Sequence, residues 1–163
     1  EAARRLAAEM VAAGADIICV EDMLATTDMI SPKTFNSLIL SYEKELFGAL
    51  SVPTVLHICG DVTPIAEDMA ATGATALSYE PKSDTATMRQ KVGPDIVLVC
   101  GADAATTLFN GTPEQVEAVC LASLEAGADV VAAGCAIAPG TPTENLRAMV
   151  SAALRYADRA AAS

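Results

Sequence analysis

The sequence predicts an α/β fold in which helices alternate with the short strands of a parallel sheet. Three features predict it: short apolar runs rich in β-branched residues, helical spacing of apolar residues between those runs, and a glycine-containing junction that recurs before several of them. Such alternation needs crossover connections that return the chain to the same end of the sheet, so neighbouring strands run parallel. We therefore expect a parallel sheet covered by helices.

The apolar runs predict five strands. Each is four or five residues long and too uniformly apolar for a half-exposed antiparallel strand. A small-residue junction with a central glycine precedes the first, third and fifth run, which indicates a repeated helix-to-strand unit. The predicted strands are 17–20, 54–58, 76–79, 96–100 and 130–133.

Six helices are predicted between and around these strands. Four of them follow a Ser-Pro or Thr-Pro pair, at Ser31, Thr63, Thr112 and Thr141, in which the hydroxyl is expected to cap the helix and the proline to occupy its first turn. The predicted helices are 1–13, 32–49, 63–72, 84–92, 113–126 and 142–160.

The number of elements suggests part of a larger fold. A closed eight-stranded (β/α) barrel, the TIM-barrel type, takes about 250 residues, whereas this chain has 163. We expect a single partial barrel domain over 1–163, its C-terminal part, with the N-terminal strands missing. A doubly wound open sheet is the alternative, although the sequence has no glycine-rich phosphate loop. An unclosed sheet favours association with another copy or with the missing half.

Composition excludes several classes of protein. The 10 Lys and Arg against 21 Asp and Glu give a net charge of −11, which disfavours binding to nucleic acid. An apolar fraction of 52% excludes disorder, and no run approaches the roughly 18 apolar residues of a membrane span. Five cysteines, an odd and scattered set, suit reduced thiols or metal ligands. We expect a cytoplasmic protein.

Candidate site residues follow the predicted strands, where parallel α/β folds place their active sites. His57 and Cys59 are two residues apart, so their side chains point to the same side. Cys135, after the last predicted strand, supplies a second thiol. One imidazole and two thiolates with one open position suit catalytic zinc. The alternative is that these cysteines are ordinary core residues.

The remaining polar residues at strand ends are ambiguous. Glu21 and Asp22 fit either a site or a solvated helix approach, and Asp103 fits either a site or a loop cap. Glu80 follows the third predicted strand. Cys19 and Cys120 are assigned to the core, and Cys100 is ambiguous.

Three segments, 56–64, 134–142 and 145–150, resemble the uroporphyrinogen decarboxylase superfamily. Within that superfamily they look most like the zinc-dependent methylcobamide:coenzyme M methyltransferases of methanogens. The resemblance implies that His57, Cys59 and Cys135 bind Zn²⁺. It also implies a catalytic role for Glu80, as a displaceable fourth ligand or a nearby base.

The implied reaction is transfer of a methyl group from a methylated corrinoid, a methylcobamide held on a separate carrier protein, to a small thiol such as coenzyme M. Two alternatives stay open. One is a metal-free, tetrapyrrole-binding decarboxylase relative, and the other is a non-catalytic half-barrel. Lys82 and Arg89 cannot be distinguished from ordinary surface cations as partners for the sulfonate of the thiol.

Overall fold

A computed structural model describes residues 1–162, and its centre is a parallel sheet of four strands. The strands lie in the order β1-β2-β3-β4, so each strand pairs with its neighbour in sequence. The predicted parallel α/β arrangement is confirmed, with each strand boundary shifted by one residue at β1 and β4. The strands are β1 (Ile18–Glu21), β2 (Thr54–Ile58), β3 (Ala76–Tyr79) and β4 (Val97–Val99).

Each of the six predicted helical regions contains an α-helix. The region predicted at 32–49 is two helices joined by a wider π-helical segment, Phe35–Ile39, and the region at 63–72 opens with a 3-10 turn, Thr63–Ile65. The helices are α1 (Ala2–Ala12), α2 (Pro32–Thr34), α3 (Leu40–Phe47), α4 (Ala66–Ala70), α5 (Thr85–Val92), α6 (Pro113–Glu125) and α7 (Thr143–Ala161).

The predicted fifth strand requires correction. Residues 130–133 form only two isolated parallel bridges, Val99 to Val130 and Ala102 to Ala133, instead of a regular strand. Gly101 shows the physical reason. The backbone of Ala132 approaches Gly101 so closely that a Cβ there would clash with the Ala132 carbonyl oxygen. Backbone hydrogen bonds still join the segment to this edge, from the Val130 N–H to the Leu98 carbonyl and from the Cys100 N–H to the Val130 carbonyl, so it runs beside β4 without forming a regular strand.

Two of the four predicted helix caps are confirmed. The hydroxyl of Ser31 accepts a hydrogen bond from the backbone N–H of Thr34. Thr112 and Gln115 form a capping box, in which the side chain of each accepts a hydrogen bond from the backbone N–H of the other. Thr63 does not cap, because the 3-10 turn already begins at that residue. Thr141 does not cap α7 either, since its hydroxyl donates to the carbonyl of Ala138 at 2.8 Å.

A π-helical segment, Ala104–Phe109, was not predicted from the sequence. The Asp103 carboxylate caps it by accepting the backbone N–H groups of Ala105 and Thr106. The buried amide of Asn145 on α7 donates to the carbonyls of Leu108 and Gly111, at 2.8 and 2.9 Å. These bonds fasten the segment to α7 and fix the chain that follows β4.

The two faces of the sheet differ in burial. Alternate residues such as Leu56, Leu77 and Leu98 are fully buried in the main core. The opposite face carries Cys19 and Glu21, which are exposed, half-buried side chains such as Ser78, and His57, which is buried. In a closed barrel this second face lines the interior. None of the helices within residues 1–162 is both long and apolar enough to cross a membrane.

Glu43 on α3 is a buried carboxyl group without a hydrogen-bond partner among the described residues. Its side chain is 5% exposed, and neither carboxylate oxygen is bonded. Burial, followed by repulsion from Asp22, raises the pKa of Glu43 from 4.5 to about 8. The folded chain therefore favours the protonated acid, whereas the unfolded chain ionises near pH 4.5.

We expect the stability contributed by neutral Glu43 to be complete below pH 4.5 and to be lost as pH rises to about 8. Glu43→Gln removes this dependence, so above pH 8 the variant should be more stable than the parent by on the order of 2–4 kcal/mol. Urea unfolding across pH measures both chains. Glu45→Gln, on an exposed neighbour of the same helix, should keep the parental profile. If the free energy of unfolding varies with pH in the same way for the parent and for Glu43→Gln, Glu43 does not titrate with a raised pKa.

Candidate metal centre

The candidate site lies at the carboxyl ends of the strands, on the less covered face of the sheet. The parallel register places His57 of β2 directly between Glu21 of β1 and Ser78 of β3. Cys59 follows one residue after β2 ends, on the same side as His57. Cys135 lies just beyond the bridged segment beside β4. Sheet geometry thus brings Cys59 next to Cys135, which is 76 positions away in sequence.

The three predicted ligands lie in contact. The Cys59 sulfur lies 3.5 Å from the His57 Nε2 atom and 3.8 Å from the Cys135 sulfur. All three donor atoms lie within 4.8 Å of one another. Within residues 1–162 this is the one group of three or more His, Cys, Asp or Glu side chains arranged so that they could hold a metal ion.

The spacing of these atoms fits a tetrahedral zinc ion. Zinc–sulfur bonds of about 2.3 Å and zinc–nitrogen bonds of about 2.0–2.1 Å require a sulfur–sulfur separation of about 3.8 Å and a sulfur–nitrogen separation of about 3.5 Å. The two separations from the Cys59 sulfur are 3.8 Å to the Cys135 sulfur and 3.5 Å to His57 Nε2, which match these values, and the third pair of donor atoms lies within 4.8 Å. Three protein donors leave one tetrahedral position for a further ligand, which is typical of catalytic zinc sites. The residues present therefore fit the ion that the resemblance implies.

Ser78 is a site residue that the sequence analysis missed. Its hydroxyl oxygen lies 2.9 Å from His57 Nδ1. In the tautomer that leaves Nε2 free to bind a metal, Nδ1–H donates to the Ser78 oxygen, which fixes the orientation of the ring. The available signal was its position two residues before Glu80, on the face of β3 that lies beside His57.

Glu80 lies beside the three-residue group but is not one of its members. Its Oε2 atom accepts the backbone N–H of Gly60 at 2.6 Å. Gly60 has a φ of +81°, and a Cβ there would lie 2.5 Å from the Thr26 hydroxyl oxygen. Glycine is therefore required at this turn, and Glu80 holds the turn that follows Cys59.

Negative charge surrounds the two thiols. Burial, the neighbouring Cys135 and the carboxylates of Glu80 and Glu21 raise the pKa of Cys59 to about 11. Without a cation the Cys59 thiol therefore keeps its proton at neutral pH. A metal ion that binds thiolate ligands must displace such protons.

Cys19 requires a second correction. It lies in β1, as predicted, but its side chain is exposed and does not belong to the core. It lines a cavity of about 150 Å³ together with Glu21, His57 and Cys135. Cys120 is buried, as predicted, and so is Cys100.

The structure also places Asp103 and the two basic residues that the sequence analysis considered, Lys82 and Arg89. Asp103 caps the π-helical segment. The Arg89 guanidinium is committed to the carbonyls of Gly93, Ile96 and Gly127 and to Asp129. Lys82, in contrast, is exposed on the segment after β3, where its ammonium lies 3.9 Å from Asp28. Of the two cations, Arg89 thus has a structural role.

Known proteins with similar sequences are methyltransferases of methanogens. The chain is 41% identical over 157 residues to the methylcobamide:CoM methyltransferase MtaA of Methanosarcina barkeri, a match covering 96% of this chain and 46% of that protein. It is 37% identical over 150 residues to the methylcobamide:CoM methyltransferase MtbA of Methanosarcina mazei, covering 90% and 44%. The chain thus spans about half the length of these relatives.

Solved structures agree in fold. A methyltransferase from Methanosarcina mazei superposes with a TM-score of 0.91 at 38% identity, covering 95% of this chain and 46% of that one. A B12-independent methionine synthase from Shewanella superposes with a TM-score of 0.77 at 18% identity, which shows the fold alone. The parallel sheet and its helices are therefore part of a (β/α) barrel, as the sequence predicted.

Residues 1–156 match the model of the uroporphyrinogen decarboxylase (URO-D) family. That match covers nearly the whole chain, and the chain belongs to this family.

Proposed function

We propose that this chain carries the zinc site of an enzyme that transfers a methyl group from a methylated corrinoid to a thiol such as coenzyme M. The observation that carries the proposal is the grouping of the His57, Cys59 and Cys135 donor atoms within 4.8 Å of one another, with both separations from the Cys59 sulfur matching tetrahedral zinc. The names of the similar methanogen proteins supply the substrates. This ligand set favours methyl transfer over a metal-free decarboxylase.

His57, Cys59 and Cys135 would hold the ion. Bound zinc would stabilise the acceptor thiol as its thiolate, the form that attacks the methyl group carried by the corrinoid cobalt. The two cysteine thiolates place negative charge on the site, which preserves the electron density of the substrate sulfur. Ser78 keeps the Nε2 atom of His57 turned toward the Cys59 sulfur.

Glu80 has two connected roles in this proposal. Its Oε2 atom orders the turn after Cys59 by accepting the Gly60 N–H. Its carboxylate would also take the proton of the incoming thiol, or fill the fourth position before the thiol binds. The corrinoid would be presented by a separate carrier protein, as the resemblance to the methylcobamide:CoM methyltransferases implies.

Metal loading and methyl transfer by the same variants test this proposal. The parent chain should bind one zinc per chain by elemental analysis and transfer methyl groups from methylcobalamin to coenzyme M. His57→Ala and Cys135→Ser should lose zinc affinity by more than about 100-fold, because each removes a ligand. Cys19→Ser is the matched control, since Cys19 lines the same cavity outside the ligand group. Unchanged zinc affinity in both ligand variants contradicts the proposal.

Ser78→Ala should weaken zinc binding by about 10- to 100-fold, because the imidazole loses the partner that fixes its tautomer. Ser78→Thr, which keeps the hydroxyl, should restore most of the affinity. Competition with a chromophoric chelator measures the zinc affinity of both variants. Ser37→Ala, which changes an exposed serine outside the candidate site, serves as the control. Equal affinities for Ser78→Ala and the parent show that Ser78 does not position His57.

A further inference from the structure

The two cysteine sulfurs of the candidate site touch each other. Their separation is 3.8 Å, whereas a disulfide bond is about 2.05 Å long. We propose that Cys59 and Cys135 are a modification site, a cysteine pair that a peroxide converts to a disulfide when no metal is bound. This inference rests on the sulfur geometry and does not require the proposed methyl transfer.

The surroundings of the pair allow the bond to form. Both residues are half-buried rather than enclosed, and Cys135 lines the cavity of about 150 Å³, which gives a molecule as small as hydrogen peroxide a route to the pair. Cys59 follows directly after β2, whereas Cys135 lies outside any helix or strand. Cys135 can therefore approach Cys59 by a local change in its loop, while the sheet stays in place.

The other cysteines differ in access or in neighbours. Cys100 and Cys120 are 1% and 0% exposed, which protects them from the oxidant. Cys19 is exposed, but the structure records no hydrogen bond from its sulfur to another cysteine within residues 1–162. The selectivity of the reaction thus follows from the combination of access and sulfur contact.

The chemistry balances in two steps. One thiol reacts with hydrogen peroxide: the O–O bond breaks, a sulfenic acid forms and one water leaves. The sulfur of the second thiol then attacks the sulfenic sulfur, forming the S–S bond, while the hydroxyl leaves with the thiol proton as a second water. Two thiols lose two electrons, and one peroxide is reduced to two waters. A dithiol reductant reverses the bond by exchange.

Disulfide formation would abolish the metal site. Both sulfurs would be occupied in the S–S bond, and His57 alone would remain of the three donors. Conversely, a metal ion held by both thiolates would occupy the same electron pairs and slow the oxidation. Peroxide and zinc are therefore expected to compete for this pair.

Peroxide treatment of the metal-free chain, followed by peptide mapping without reductant, tests the inference. We expect one intramolecular link between the Cys59 and Cys135 peptides, a fall in free thiols from five to three, and recovery with dithiothreitol. Zinc added beforehand should slow the loss of thiols at least about 10-fold. Cys19→Ser should form the same link, whereas Cys135→Ser should not.

The outcomes separate this inference from the proposed function. A link through Cys19, links only between chains, or oxidation of Cys59 without a link overturns it. If the link forms but the reduced chain binds no zinc, the disulfide inference holds and the zinc proposal fails. If the reduced chain binds zinc but no link forms, the disulfide inference alone fails.

Discussion

The parallel register of β2 between β1 and β3 is the constraint on which the site depends. It places His57 between Glu21 and Ser78, so that one strand end carries the imidazole and its neighbours supply the groups around it. A slip of one residue would turn His57 toward the helix-packed face of the sheet. Burial of Leu56 and Ile58 on that face opposes such a slip, because both are fully enclosed in the core. Core packing thus determines which way the imidazole points.

The negative charges around the candidate site would favour a bound cation. Burial, the neighbouring Cys135 and the carboxylates of Glu80 and Glu21 all raise the pKa of Cys59. A divalent ion would neutralise the thiolates and relieve the repulsion from both carboxylates. The same contact between the sulfurs would let the metal-free pair form the proposed disulfide. In these two proposals, metal binding and protection from peroxide would be consequences of one arrangement.

Much of the fold could be predicted from the sequence because its signals are local. Short apolar runs located β2 and β3, and the pairs Ser31-Pro32 and Thr112-Pro113 marked real helix starts. The segments 104–109 and 130–133 could not be predicted correctly, since they depend on contacts made by Asn145 and on the close approach at Gly101. Three-dimensional contacts override local preference at both places.

The candidate site, too, was predicted only in part from the sequence. The His-x-Cys spacing and the resemblance identified three residues that the structure brings together. Ser78 and the exposed side chain of Cys19 emerged only with the strand register, because no local pattern says which strand lies beside β2 or which of its faces is covered.

The central claim is that one imidazole and two cysteine sulfurs bind a single zinc ion and leave one position open. X-ray absorption at the zinc edge tests it most directly on the zinc-loaded chain. The account predicts two sulfur neighbours at about 2.3 Å and nitrogen or oxygen neighbours at about 2.0–2.1 Å, with one sulfur lost in Cys135→Ser. A zinc shell of nitrogen and oxygen alone, or one unchanged in Cys135→Ser, would contradict it.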